Sequence, residues 1–290
     1  MPAASTIVNV VVSGVLTGIV YGLMALGLSA IFGVVRLVNF AHGELMTLAM
    51  YGAVVAFQKL ALDPFLSMAG VALVFGALGY ALQRGFINRF VHRPEHAQML
   101  LMLALAIIVG NVLLLAFGPD ARNVQTSYQL DSFELGPLLV DKVRVYAAAA
   151  ALVTTALLGA FFRLTLTGKA IRACADNPLG ARVAGLPVAH LYAVTFGIGA
   201  ATVAVAGCAT VQLIDVTPGL GPAYTLLAFV IVIVGGLGSM LGALLGGLLI
   251  GLSEALAGLL ISPSAKSMVS FGLLAAILLV WPRGLMGGRR

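Results

Sequence analysis

The stretch that decides the fold covers residues 216–253, which read VTPGLGPAYTLLAFVIVIVGGLGSMLGALLGGLLIGLS and carry no charged side chain. A helix needs about 20 mostly apolar residues to cross about 30 Å of hydrocarbon, so this run is too long for one crossing. Its glycine-rich segment at 235–239 indicates a break. We therefore predict two membrane spans here, joined by a turn.

The composition supports a membrane protein over the full length. Of 290 residues, 61% are apolar and only 9% are charged, with a mean hydropathy of +1.10. A soluble domain is about 25% charged, so a soluble enzyme, a nucleic-acid-binding module and a disordered chain are excluded. The apolar runs are continuous, whereas the strands of a membrane barrel alternate residue by residue. The predicted fold class is an all-α integral membrane protein.

Further uncharged runs predict the remaining spans. They cover residues 1–35, 65–83, 97–119, 145–162, 183–214 and 267–282. With the stretch 41–58, the chain becomes a single transmembrane domain over residues 1–290, a polytopic bundle of eight or nine spans. Broken or re-entrant segments are expected near 34–44 and 235–239. No basic cluster precedes the first span, which argues against a removable signal peptide.

The basic residues predict the orientation. Eleven of the 16 Lys and Arg residues lie in loops that share one side, those holding Arg36, Arg84 to Arg93, Arg163 to Arg182 and Arg283 to Arg290. Basic loops stay in the cytoplasm, which places the C-terminus inside. Residues 163–190 then form an inside loop and residues 118–143 an external one. Nine spans would put the N-terminus outside, and eight would put it inside.

A polar cluster lies between two apolar runs at Asn39, His42, Gly43 and Glu44. Asn39 is placed to accept from a free backbone N–H two or three residues on, and Glu44 suits the positive end of a helix dipole. One interpretation is a motif that starts a helix and satisfies its own backbone groups. The other is a ligand or coupling site, because ionisable residues inside a membrane are costly and usually functional. In the predicted topology, the polar cluster at 39–44 lies near the cytoplasmic side of the membrane.

The inside loop predicts two short amphipathic helices, one ending near Asp176 and one starting at Pro178 with Asn177 as its cap. Two interpretations remain open: a loop on anionic lipid headgroups, or a docking element for a cytoplasmic subunit. The candidate residues are Gly168, Lys169, Arg172, Asp176, Asn177, Pro178, Ala181, Arg182 and Gly185.

Glycines near the long uncharged run predict close helix packing, because small residues let membrane helices approach. The candidates are Gly235, Gly236, Gly238, Gly242 and Gly246, and the spacing of the last three predicts one helix face. Glu254 follows as the only acid in a late apolar stretch. It is expected to have a polar partner or to lie near the outer interface, and a role in the substrate path is the alternative.

No motif for covalent chemistry is present. Gly168-Lys169 lacks the glycine spacing and the hydroxyl residue of a phosphate-binding loop, and no His, Cys and Asp set has metal-ligand spacing. His42-Gly43-Glu44 is half of a zinc-deaminase motif whose cysteine half is missing. We therefore predict no enzyme, no metal and no cofactor, with energy for any uphill transport coming from a partner or an ion gradient.

Three segments together carry a family resemblance: Asn39-Phe40-Ala41-His42-Gly43-Glu44, the loop from Gly168 to Leu186, and Gly235 to Ser239 followed by Gly242. In this order and spacing they resemble the permease subunits of ABC importers for branched-chain amino acids. Closely similar permeases carry urea, short-chain amides or other amino acids, so the resemblance is less specific for the solute.

The resemblance implies a set of partners: a second permease chain, two cytoplasmic ATPases that bind the ATP, and an external substrate-binding protein. It also implies a bacterial inner-membrane location, alternating access, and a coupling role for the loop at 168–186. The Asn39–Glu44 motif would then serve gating, and the substrate-binding residues stay unknown. An ion-coupled secondary transporter, and a channel or scaffold, are the rival classes.

Overall fold

The computed structural model describes residues 4–136 and 138–287, which form a helical bundle with one short hairpin. The long helices are α1 (Ala4–Val35), α2 (His42–Leu60), α3 (Pro64–Gly85), α4 (Glu95–Phe117), α5 (Lys142–Leu164), α8 (Val188–Thr210), α9 (Gly221–Gly235), α10 (Met240–Leu260) and α11 (Ala265–Val280). Two short helices, α6 (Leu166–Asp176) and α7 (Pro178–Val183), connect α5 to α8. The predicted all-α membrane fold is confirmed.

Seven helices of the described chain are long and apolar enough to cross a membrane. The other two long elements are α2, whose run includes Glu44 and Lys59, and α11, which is a shorter apolar helix. Helices α1 and α8 are largely buried inside the bundle, whereas most of α4 is exposed. Lipid or another protein chain must therefore cover α4.

The loop at residues 118–143 contains a short β-hairpin that the sequence did not predict. Strand β1 (Ser132–Leu135) pairs with strand β2 (Leu138–Asp141) as an antiparallel hairpin, with Gly136 in its turn at φ +64°. The hairpin lies at one end of the bundle, which we call the hairpin end. The backbone N–H of Leu139 donates to Asn9 Oδ1 at 3.2 Å, so the start of α1 lies at this end as well.

The opposite end carries most of the arginines and is called the basic end. Arg36 and Arg283 line the same cavity there, and Arg182 lies beside the turn that holds Asn88 and His92. The start of α1 and the last described residues thus lie at opposite ends of the bundle. An odd number of crossings follows, which supports nine spans rather than eight.

Glycines bring the central helices into backbone contact. A Cβ on Gly247 would lie 2.3 Å from the backbone nitrogen of Gly22, and a Cβ on Gly251 would lie 2.4 Å from the Cα of Gly18. These positions join α10 to α1 so closely that no side chain fits between them. Small residues permit this close backbone contact. In a membrane such packing holds helices together, because the hydrophobic effect does not drive their association there.

Candidate functional site

The segment from Leu37 to Ala41 runs back into the bundle instead of lying at its surface. Leu37 and Asn39 are fully buried, and His42 Nε2 lies 3.0 Å from the carbonyl oxygen of Met24. About 16 Å of helix separates Met24 from the end of α1 at Val35. The prediction that this cluster lies near the cytoplasmic side is wrong: residues 36–41 fold back along α1 and bring His42 to mid-depth of the bundle.

Helix α2 begins inside the protein with an unusual set of backbone contacts. The Asn39 side-chain oxygen accepts from the backbone N–H of Ala41 at 3.1 Å, two residues on, just before the helix begins. The Thr225 hydroxyl accepts from the Gly43 N–H at 2.9 Å and donates to the Phe40 carbonyl at 3.2 Å. One hydroxyl from α9 therefore satisfies two backbone groups at this start.

The structure explains why residue 43 is a glycine. A Cβ there would lie 2.0 Å from the carbonyl oxygen of Gly221 and 2.4 Å from the backbone nitrogen of Thr225, so any side chain would collide with α9. Glu44 follows, 5% exposed, with its carboxyl group between Gly221 and Gly110. Helices α2, α4 and α9 meet at this carboxyl group.

The basic end holds a cavity of about 1010 Å³. Its walls come from the end of α1, the start of α4, the α9–α10 turn and residues 282–287. Apolar side chains such as Phe32, Met99 and Phe229 are combined with Arg36 and Glu95. Its size matches a site for a small solute.

Helix α6 ends and helix α7 begins where the sequence predicts. The Asn177 side-chain oxygen accepts from the Gly180 N–H at 2.9 Å, which caps α7 directly after α6 ends at Asp176. Gly185, at φ +82°, ends α7 in a left-handed conformation that favours glycine. Thr165 caps α6 by accepting from the Gly168 N–H at 3.0 Å, a role that the sequence did not predict.

One face of this helix pair packs on the bundle and the other is open. Gly168, Ile171, Cys174 and Ala181 are buried, and a Cβ on Gly168 would lie 2.2 Å from the carbonyl oxygen of Phe161. Burial also raises the pKa of the Cys174 thiol. The exposed face carries Lys169, Arg172, Asp176, Asn177, Arg182 and Gly185, together with Leu179 and Val183, whereas Pro178 is half-buried.

The candidate packing glycines do not share one face. Gly238 lies before α10, at φ +78°, and packs on Gly33, because Ser239 caps the helix that starts at Met240. The prediction that it continues the Gly242 and Gly246 face is therefore wrong. A Cβ on Gly242 would lie 2.2 Å from the carbonyl oxygen of Gly235. Gly246 packs on Ile231, and Gly236, at φ +104°, packs on Gly287.

The hairpin end has a polar contact of its own. The Tyr128 hydroxyl donates to Asp63, and burial together with this carboxylate raises the pKa of Tyr128 to about 12. Phe65 and Tyr146 pack around the same ring. In residues 4–136 and 138–287, no group of three His, Cys, Asp or Glu side chains is arranged to hold a metal ion.

Comparison with known proteins assigns the chain to a family. Residues 10–278 match the family described as branched-chain amino acid transport system, permease component. The chain belongs to this family. The permease is a transport component, and an ABC transport system implies that it works with further subunits.

Its relatives match it over nearly their full length. The permease is 28% identical to the high-affinity branched-chain amino acid transport system permease protein BraD of Pseudomonas aeruginosa, over 99% of this chain and 98% of BraD. It is 31% identical to the corresponding protein LivH of Escherichia coli K12, over 95% of this chain and 94% of LivH. A chain of PsaBC from Streptococcus pneumoniae in complex with Fab shares the fold, with a TM-score of 0.50 and 16% identity over 93% of the permease and 91% of that chain.

Proposed function

We propose that this permease is a membrane-spanning subunit of an ATP-driven importer that translocates branched-chain amino acids delivered by an external binding protein. A second permease chain would complete the solute path, and two cytoplasmic ATPases would bind the ATP, so the permease itself needs no cofactor. The location would be a bacterial inner membrane, with the C-terminus in the cytoplasm.

The open face of α6 and α7 carries this proposal. Leu179 is 71% exposed and Val183 is 83% exposed, beside the charged groups of Arg172 and Arg182. Two apolar side chains beside two cations suit a groove on a protein with acidic edges better than they suit water. A helix pair with this face would transmit ATPase closure to the bundle, with Gly168 fixing α6 on the end of α5.

The cavity at the basic end and the Asn39–Glu44 motif fit an alternating-access mechanism. The cavity at the basic end would be the inner mouth of the solute path, and the Asn39–Glu44 motif at mid-depth would belong to the gate. The apolar walls of the cavity suit the side chains of leucine, isoleucine and valine. Only different affinities for the two states can bias such an equilibrium, so contacts that change between the states would drive transport.

The test is solute uptake by the reconstituted assembly of permease, partner permease, ATPases and binding protein in sealed vesicles. Uptake of labelled leucine should require ATP and should persist when ionophores collapse the proton and sodium gradients. Unlabelled isoleucine and valine should compete, whereas urea, acetamide and polar amino acids should not. Uptake that follows an ion gradient without ATP would contradict the proposal, and competition by urea or acetamide would reassign the solute.

A further inference from the structure

The Asn39–Glu44 motif contains an unusual concentration of unsatisfied polar atoms. Asn39 Nδ2, His42 Nδ1 and Glu44 Oε2 are all buried without a hydrogen-bond partner in the described chain. Most buried polar atoms in proteins have a partner, so each exception needs an explanation. Three exceptions within one short segment indicate that something absent from this single chain completes the site.

Glu44 has the strongest need for a partner. An ionised carboxylate in an apolar interior is costly unless a cation or hydrogen-bond donors compensate it. The two ion pairs among the described residues, Lys142 with Asp131 and Arg144 with Asp141, both lie at the hairpin end. Neither pair reaches the mid-depth level of Glu44.

Glu254 provides an internal comparison. This second intramembrane carboxylate accepts from the Tyr21 hydroxyl at 3.2 Å and from the Ser270 hydroxyl at 2.7 Å. The sequence expectation of a polar partner for Glu254 is thus confirmed. The fold thus gives both oxygens of the half-buried Glu254 a hydroxyl partner and leaves the buried Glu44 with an unused acceptor.

The surroundings of Glu44 keep space for its carboxyl group. A Cβ on Gly221 would lie 2.1 Å from Glu44 Cδ, and a Cβ on Gly110 would lie 3.4 Å from Oε2. Gly110 belongs to α4, whose only buried residues within Glu95–Phe117 are Met102 and Leu113. The carboxyl group therefore lies one helix away from the least covered surface of the bundle, where a path shared with a second chain would run.

We propose that Glu44 binds the ammonium group of the transported amino acid at mid-depth of the path. This inference rests on the proposed function, which supplies an amino acid as the solute. An ammonium group offers three donors and a positive charge, which match a carboxylate with a free oxygen, and the apolar surroundings suit a branched side chain. Because Glu44 is 5% exposed, the solute reaches it only when the path opens.

The test uses a carbodiimide that reacts with intramembrane carboxyl groups, applied to the complete reconstituted assembly and read by mass spectrometry. Leucine at saturating concentration should lower labelling of Glu44 about tenfold, as expected for a contact with a charged group. Isocaproate, which has the same side chain without the ammonium group, should leave labelling unchanged. Labelling of Glu254 should not respond to either compound.

Two results would overturn the inference. One is equal protection by isocaproate. The other is that Glu44 does not react either with or without leucine, which would mean that a cation of the partner permease already pairs with it.

A transport assay gives an independent check. Glu44→Gln should lower ATP-dependent leucine uptake about tenfold with assembly unchanged, and Glu254→Gln serves as the matched control. Wild-type uptake by Glu44→Gln would refute only the role of Glu44 and leave the proposed function standing. Absence of leucine uptake by the unsubstituted assembly would refute the proposed function.

Discussion

Thr225 is the residue that joins the start of α2 to α9. Its hydroxyl is the partner of both the Gly43 N–H and the Phe40 carbonyl, and the side chain is 5% exposed. Removing the hydroxyl leaves two buried backbone groups unpaired at mid-depth, where no bulk water can replace it.

We expect Thr225→Val to lower the free energy of unfolding by about 1–3 kcal/mol, because valine keeps the shape and removes the hydrogen bonds. The measurement is thermal unfolding of the purified permease in detergent. Thr154→Val is the control, since that hydroxyl bonds only the Ala150 carbonyl of its own helix. Equal melting temperatures for the two variants would show that the Thr225 contacts contribute nothing.

At the residue scale, the sequence identifies polar side chains more readily than their partners. Asn39, His42 and Glu44 stand out because polar residues are rare between apolar runs. Thr225 did not stand out, because a threonine in an apolar helix is common and its contact with Gly43 spans 182 positions of sequence. The depth of the motif was also inaccessible, since the sequence does not say which way residues 36–41 turn.

At the scale of elements, glycine contacts hold α9 and α10 together. Gly242 faces the backbone of Gly235, and Gly246 faces Ile231. The sequence spacing predicted close packing but not which glycines belong to the helix, because Gly238 at φ +78° forms the preceding turn. It also missed the partners of Gly247 and Gly251, which are glycines of the distant α1.

We expect Gly242→Leu to destabilise the permease by about 3 kcal/mol or more, because the new side chain meets backbone that cannot move aside. The matched control is Gly272→Leu on α11, where a Cβ would meet nothing within 4 Å. Melting profiles of the two variants in detergent make the comparison. A wild-type profile for Gly242→Leu would mean that the helices are not in contact there.

The junction between α6 and α7 was predictable because capping residues act locally. Asn177-Pro178 ends one helix and starts the next, as the structure confirms. Which side chains face outward depends on how the pair packs against α5 and α8, and the sequence alone does not give that packing.

We expect the double charge reversal Arg172→Glu with Arg182→Glu to lower co-purification of the ATPases about tenfold, because like charges would then face the acidic groove edges that the proposed docking requires. The permease should keep its melting temperature, since both side chains are exposed. Lys59→Glu with Lys266→Glu makes the same change of net charge at two exposed positions away from this pair. Equal recovery of ATPase with both variants would argue against docking at α6 and α7.

At the scale of the whole molecule, the positions of the chain ends determine the membrane topology. The sequence predicted eight or nine spans, because the stretch 41–58, which forms α2, carries the charged Glu44. The structure places the start of α1 at the hairpin end and residues 282–287 at the basic end, which requires an odd number of crossings. Only a three-dimensional arrangement could make that choice.

The central claim is that α6 and α7 form a cytoplasmic surface to which an ATPase binds. Its most direct test is site-directed cysteine labelling and cross-linking in the complete assembly, with the buried Cys174 and Cys208 replaced by alanine. Leu179→Cys should react with an impermeant reagent only from the cytoplasmic side and should cross-link to the ATPase, whereas Glu134→Cys in the hairpin should react only from outside. Labelling of residue 179 from the exterior, or an active assembly with no cross-link to the ATPase, would contradict the account.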